Sequence, residues 1–435
     1  MREERGLVKT LGLFEAVTIG IGGMIGGAIF VSIGVAAEMT GPSVPLSFAL
    51  AAIVAVFTGY HYSKLGPTYP EAGGSYSYIQ RAFRGEKTVS ILVGYTVWFA
   101  YIAACAFYVV GFVTYASQII PLPYYLIAFI VILPITLIHL RGVKESGFTQ
   151  LLLVTTIVLI LLFLVVTSVK FLNIENYKPL FPKGYHMVIL AASVILVGYE
   201  GFDIIGTAEE ELKNPQRDIG RAIFISIGIV SCIYISVSIV GVGVIPYDKL
   251  HGGAPLAKVA SQTVGQVGEL ILIFGGILST TSAFNAAILG ASRVSYTLGR
   301  HQVMPKHFAR VNKNSVPSVA LIASLVMITI LAMYGIWNPK GLALATALAS
   351  AAFLVIFFLV AVSNYRLRHH TKPNLKVVYG SIVLYIIAMI ALSIADPQSF
   401  RMLISWIVFV LIADFILRRT IFRWFVFKEE DIEKD

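Results

Sequence analysis

Ile19-Gly-Ile-Gly-Gly-Met-Ile-Gly-Gly-Ala-Ile-Phe30 is the stretch that decides the fold. It places Gly20, Gly22, Gly23, Gly26 and Gly27 inside a run apolar enough to cross a bilayer. Each glycine in a helix interior costs roughly 0.5–1 kcal/mol relative to alanine. Unwound backbone at membrane depth is tolerated only where it is buried in protein or lines a cavity. A helix broken there exposes free N–H and C=O groups, which can hold a charged solute at the midplane.

The composition agrees with a membrane setting. Hydrophobic residues make up 57% of the 435 positions and charged residues 13%, and the mean hydropathy is +0.83. Too little polar surface is available to cover a water-soluble particle, so the chain is read as an all-α polytopic membrane protein. Cys105 and Cys232 both fall in apolar runs, which gives no disulfide framework. The charged start MREERGLVKT leads directly into a full-length span, so no cleavable leader is expected.

Apolar runs of about 20 residues fall near 14–37, 43–63, 88–117, 123–140, 147–169, 186–208, 221–245, 267–298, 317–335, 342–364, 376–395 and 400–417. Twelve transmembrane helices would put both termini on one side. Of the 33 Lys and Arg, only Lys170, Lys178, Lys183, Lys249, Lys258, Lys340 and Arg401 then fall on the opposite face. The positive-inside rule makes both termini cytoplasmic. The formal charge of +10 is therefore a topology signal, and nucleic acid is not an expected partner.

Later segments carry recognisable motifs. Tyr62-Ser-Lys-Leu-Gly, Pro70-Glu-Ala-Gly-Gly-Ser-Tyr-Ser-Tyr-Ile and Arg81-Ala-Phe join spans 2 and 3. Their prolines, Gly-Gly pair and tyrosines describe a shaped interfacial segment. Gly201-Phe-Asp, Thr207-Ala-Glu-Glu-Glu-Leu-Lys-Asn-Pro-Gln-Arg-Asp-Ile-Gly-Arg-Ala-Ile223 and Ala291-Ser-Arg-Val-Ser-Tyr-Thr follow in spans 6 to 8. Together with Gly23-Met-Ile-Gly-Gly-Ala-Ile-Phe30, these resemble, in order and spacing, the motifs of the amino acid–polyamine–organocation (APC) superfamily of transporters across roughly residues 12–320.

The resemblance implies a LeuT-like fold: one transmembrane domain over 1–420, with inverted five-helix repeats at about 12–170 and 185–365 and extra helices at about 376–418. Residues 421–435 would form a cytoplasmic tail. The sequence supports the repeats independently, because the first span of each half is glycine-interrupted. Span 6 reads Leu196-Val-Gly-Tyr-Glu-Gly-Phe-Asp203, with Gly206 a turn later. Paired interruptions at corresponding positions of two halves point to a midplane site, although small residues also serve close helix packing.

N–H groups at Gly26, Gly27 and Ala28 would open the second half of span 1 as a helix N-terminus, which suits a carboxylate. By resemblance this end holds an amino acid's α-carboxylate, and the carbonyls of Met24, Val197 and Glu200 take its α-ammonium. Family members often carry an aromatic gate where this chain has Val197, so Tyr199 or Phe202 serves instead or the pocket is larger. Glu200 and Asp203 lie mid-span, where a charge costs at least about 2.5–3.5 kcal/mol. Both are candidate proton carriers; the alternatives are an extra anion for a cationic solute at Glu200 and a structural cap of the break at Asp203.

Span 5 has no lysine of the kind some proton-coupled relatives use; the aligned position is Ile157, beside Thr155 and Thr156. The place could instead hold Na⁺, through the carbonyls of Gly22 and Ile25 and hydroxyls of Ser279, Thr280, Thr281 and Ser282. The competing use of such hydroxyls is bonding within or between helices. Glu209, Glu210 and Glu211 are expected to pair with Arg293 or Arg300, and the histidines form no metal set. The expected function is a plasma-membrane permease that transports amino acids by alternating access, coupled to H⁺ or Na⁺, with no other cofactor and no protein partner. Polyamine or organocation transport, amino acid exchange and a non-transporting sensor are the alternatives. No nucleophile–base pair or metal spacing marks an enzyme.

Overall fold

The computed structural model describes residues 7–26, 28–250, 254–338 and 341–420. Among them the secondary structure is helical, apart from one parallel bridge between Leu11 and Leu212. Two short helices, α1 (Leu13–Ile25) and α2 (Ala28–Thr40), fill the first predicted span. After them come α3 (Val44–Leu65), the short α4 (Ser75–Ala82), α5 (Lys87–Ala116), α6 (Tyr124–Arg141) and α7 (Val143–Ser168). The second half opens with α8 (His186–Ile195) and the single turn α9 (Ile204–Thr207). It continues through α10 (Pro215–Val244), α11 (Pro255–Val264), α12 (Gln266–Arg300), α13 (Ser318–Trp337) and α14 (Gly341–Arg366). The turn α15 (Arg368–Thr371), then α16 (Leu375–Ala395) and α17 (Pro397–Thr420), complete the order.

Among the described residues, nine helical stretches are long and apolar enough to cross a membrane, and Leu13–Ile25, His186–Ile195 and Phe400–Ile412 are shorter apolar helices. The shorter ones stand at predicted spans 1, 6 and 12, the first two where the chain is interrupted. The predicted tail, 421–435, lies outside the described residues. The apolar window of α5 is 94% buried and that of α12 72%, against 28–33% for α6, α7 and α16. Helices α5 and α12 therefore form the inner wall, and the other three an outer layer suited to lipid. Across the halves, α3 packs on α10, α5 on α12, and α1 on both α10 and α12.

Both interruptions are real breaks in the helical path. Helix α1 starts with its Gly12 N–H satisfied by the Glu15 carboxylate at 3.0 Å, so Glu15 acts as a cap. It ends at Ile25, where Gly26 turns away with ψ 135°. In the second half α8 passes into a 3-10 turn over Leu196–Tyr199, and Gly201 follows with φ +123°. The two breaks touch backbone to backbone: a Cβ on Gly201 would lie 2.3 Å from the carbonyl carbon of Gly23, and one on Gly23 would lie 2.8 Å from Gly201 Cα. Only hydrogen fits on either side.

The segment between α3 and α4 exposes Thr68 and buries Ala72, Gly73 and Gly74, and the helices that flank it turn tyrosines inward. Tyr62, Tyr76 and Tyr78 are fully buried, because their hydroxyls find Ser75, His301 and Glu209 respectively. On the same face the acidic triplet after α9 takes three different partners. Glu209 accepts from Tyr78, Glu210 pairs with Arg300 at 2.6 Å and accepts from the Ala72 N–H at 3.1 Å, and Glu211 pairs with buried Arg293 at 2.5 Å. The Glu211 carbonyl also accepts the Thr10 and Leu11 N–H groups, each at 2.9 Å. Nearby Glu71 meets His301 at 2.7 Å; burial pushes its carboxyl up, but the His301 hydrogen bond and charge, with Arg300 and Arg81, hold it below its ordinary value.

Gly201→Ala combines a strained φ with a clash against backbone. It should destabilise the detergent-solubilised protein by at least about 2 kcal/mol, read as a fall in melting temperature; an unchanged melting temperature would show that the two breaks can move apart freely.

Candidate functional site

A helix leaves its last four carbonyls without intrahelical partners. At the end of α1 three carbonyls accept hydroxyls from three other helices. Tyr108 of α5 donates to Gly23 O at 3.4 Å, Tyr234 of α10 to Met24 O at 2.5 Å, and Ser279 of α12 to Ile25 O at 2.5 Å. Tyr234 Oη also lies 3.0 Å from Gly198 O in the second break. A phenol has one hydrogen, so that hydrogen is shared between the two breaks. Met24, expected to offer its carbonyl to an ammonium, thus offers it here to Tyr234.

The other expected site residues differ in their surroundings. Gly26 is buried at the end of α1. Gly27 lies outside the described residues, as do the side chains of Ala28 and Val197. Tyr199 is buried, donates to Phe48 O at 3.1 Å and packs edge-on against Tyr234 with ring centroids 5.2 Å apart. Phe202 faces elsewhere: its ring stacks on Phe357 of α14 at 5.9 Å and meets Tyr62 of α3 edge-on at 5.8 Å. Tyr199 is therefore the aromatic joined to the break, and Phe202 belongs to a packed cluster beside it.

The two carboxylates differ sharply. Asp203 accepts the Gly201 N–H at 2.9 Å and the Tyr101 hydroxyl from α5, which is the geometry of a cap on the break. Glu200 is 2% exposed, yet neither of its carboxyl oxygens has a hydrogen-bond partner among the described residues. A buried carboxyl without a partner is costly and rare.

Gly22, Ile25, Ser279 and Ser282 do come together between α1 and α12, but around a residue that the sequence did not single out. The Gln150 carboxamide of α7 is 1% exposed; its Nε2 donates to Ser282 Oγ at 3.0 Å. A Cβ on Gly22 would lie only 1.5 Å from that nitrogen. The orientation of the amide is fixed by a chain of bonds. His139 Nε2 lies 3.0 Å from the Asn285 carbonyl, which can only accept, and 3.0 Å from Asn285 Oδ1. Asn285 therefore turns its Nδ2 to Gln150 Oε1, 2.7 Å away, leaving the Gln150 nitrogen to face α1.

Tyr234 gave no periodic signal in the sequence; it is one polar residue in an apolar helix whose rotation decides its target. Tyr234→Phe should leave the Met24 and Gly198 carbonyls without their donor, at a cost of about 1–3 kcal/mol, measured as a lowered melting temperature in detergent.

The chain compares with known proteins as this arrangement leads one to expect. The family of amino acid permeases matches residues 11–417. The chain is 31% identical to the methylthioribose transporter of Bacillus subtilis, over 71% of each chain. It is 30% identical to the inner membrane transport protein YbaT of Escherichia coli, covering 94% of this chain and 95% of that one. It is 29% identical to the branched-chain amino acid permease BcaP of Bacillus subtilis, over 73% of each. With its motifs, its helical membrane architecture and a match over nearly its whole length, the chain belongs to the amino acid permease family of APC transporters.

Proposed function

We propose that the protein is a secondary active transporter of amino acids in the plasma membrane, working by alternating access with both termini cytoplasmic, and that its coupling ion is a proton. The observation that carries this reading is the meeting of two helix breaks, at Gly23 and Gly201, deep inside an apolar bundle. At the start of α2 the positive end of the helix dipole, with the N–H groups of Gly26 and Ala28, holds the carboxylate. The carbonyls of Met24, Val197 and Glu200 take the ammonium, which replaces the Tyr234 hydroxyl as donor to Met24. Backbone reads only the zwitterionic end, so side-chain preference is left to the surrounding wall.

Spans 1 and 6 then rock against spans 3, 4, 8 and 9, the two inverted repeats trading places about the site. A proton is preferred over Na⁺ because of what surrounds Gly22. Na⁺ requires several oxygen lone pairs. Here the hydrogen-bearing Gln150 nitrogen lies against Gly22 and Ser282, where a cation would need oxygen. The amide nitrogen at that position disfavours a cation. One observation favours a second reading, transport of a polyamine or another organocation: the unpaired carboxyl of Glu200.

Uptake by purified protein in proteoliposomes tests both. Amino acids should accumulate up to about tenfold per unit of imposed pH gradient, and neutral amino acids should compete while putrescine does not. Inhibition by putrescine alone would favour the organocation reading, and binding without flux a sensor. An imposed Na⁺ gradient should drive no accumulation; if it does, and Gln150→Ala raises the Na⁺ affinity, the argument from Gln150 fails. Cysteines placed singly in the 306–316 loop should react with impermeant reagents only from the cytoplasmic side.

A further inference from the structure

We propose that the two carboxyl groups of the second break divide their roles, Glu200 carrying the exchangeable proton while Asp203 stays a fixed cap. The inference rests on the transport reading above and deepens it by assigning the coupling site. Asp203 has its lone pairs engaged by the Gly201 N–H and the Tyr101 hydroxyl. Those donors favour its charged form. Glu200, three positions earlier on the same turn, has none: both oxygens are buried without a hydrogen bond, and no Lys, Arg or His forms an ion pair with it among the described residues. The titratable groups near enough to act on it electrostatically are Asp203 on its own segment and Tyr101 and Tyr108 of α5. None is a cation, and both tyrosines already donate elsewhere, to Asp203 and to Gly23 O.

An ionised Glu200 would face desolvation and a neighbouring anion with nothing to offset either. Buried without a donor, Glu200 fits this arrangement best as the neutral acid. Once water reaches the junction of the breaks, ionisation becomes favourable and the proton leaves for solvent. A group whose proton affinity differs between two conformations ties proton binding to the conformational change, and each biases the other equally. The step is a simple proton transfer between the carboxyl oxygen and water, with no other bond made or broken. Position reinforces the assignment, since Glu200 adjoins Gly201, the residue through which the second break presses on the first.

Infrared difference spectroscopy on the full chain in lipid reads the protonation directly. Wild type at neutral pH should show the carbonyl stretch of a protonated carboxylic acid in a dry site; Glu200→Gln should remove that band and Glu200→Asp should shift it. In proteoliposomes Glu200→Gln should lose pH-gradient-driven accumulation by at least about tenfold, and its amino acid exchange should no longer vary with pH. Glu200→Asp, which keeps a carboxyl, should retain coupling. The proposal is overturned if wild type lacks the band, or if Glu200→Gln still accumulates substrate against a pH gradient. It is equally overturned if the variant's half-saturating concentration for exchange rises in step with the lost accumulation, which would make Glu200 a ligand of the ammonium. A Glu200 band with no amino acid flux in wild type would sink the transport reading while leaving the protonated acid established.

Discussion

The contact between Gly23 and Gly201 governs the centre of this protein. Two backbone segments approach so closely that neither tolerates a Cβ, and the approach would be prohibitive in hydrocarbon if the polar groups it frees were left bare. Everything nearest the contact supplies those groups. Tyr108, Tyr234 and Ser279 deliver hydroxyls to successive carbonyls of α1, and Asp203 takes the N–H of Gly201 itself. The inner wall of α5 and α12, with the inward face of α10, is thus a set of donors as well as a packing surface.

The site is asymmetric in a way that matters for chemistry. Hydroxyls can surrender a carbonyl to a competing ammonium and recover it afterwards at little net cost, because one hydrogen bond replaces another. Glu200 has no such exchange partner in this arrangement. Its two oxygens are buried without a hydrogen bond among the described residues, whereas Asp203 is held by bonds already made. Gln150 holds its place by a third route: its amide is fixed by Asn285 and, through it, by the backbone-anchored His139, so the gap beside Gly22 is filled by a group that neither titrates nor leaves easily.

The sequence made the two interruptions legible because glycine in an apolar span is expensive, and expense at corresponding places in two halves has few explanations. The pairing of Glu211 with Arg293 and of Glu210 with Arg300 was legible as well, since buried charges require counter-charges; Glu209, expected to pair likewise, meets Tyr78 instead. Tyr234 and Gln150 were not. Each is a single polar residue in an otherwise apolar helix, and only the rotation of that helix decides whether it turns to lipid, to a neighbour or to the break. Nor were the partners of Tyr62, Tyr76 and Tyr78 legible: a tyrosine suits the membrane interface and a buried hydroxyl partner equally, and composition alone does not separate the two. The number of full-length crossings was blurred at spans 1 and 6 because a broken helix is shorter than the apolar run that contains it.

The acidic triplet at the end of the second break gathers α4, the loop before it, both turns at the end of α12 and the chain ahead of α1 onto three consecutive residues. Such convergence makes the closure of that face cooperative. A displacement of the segment after α9 strains all of these bonds together, and no single one can be given up while the rest are kept in register. The face is therefore held as one unit, and whatever moves the segment after α9 must release its bonds to α4, α12 and the chain ahead of α1 together.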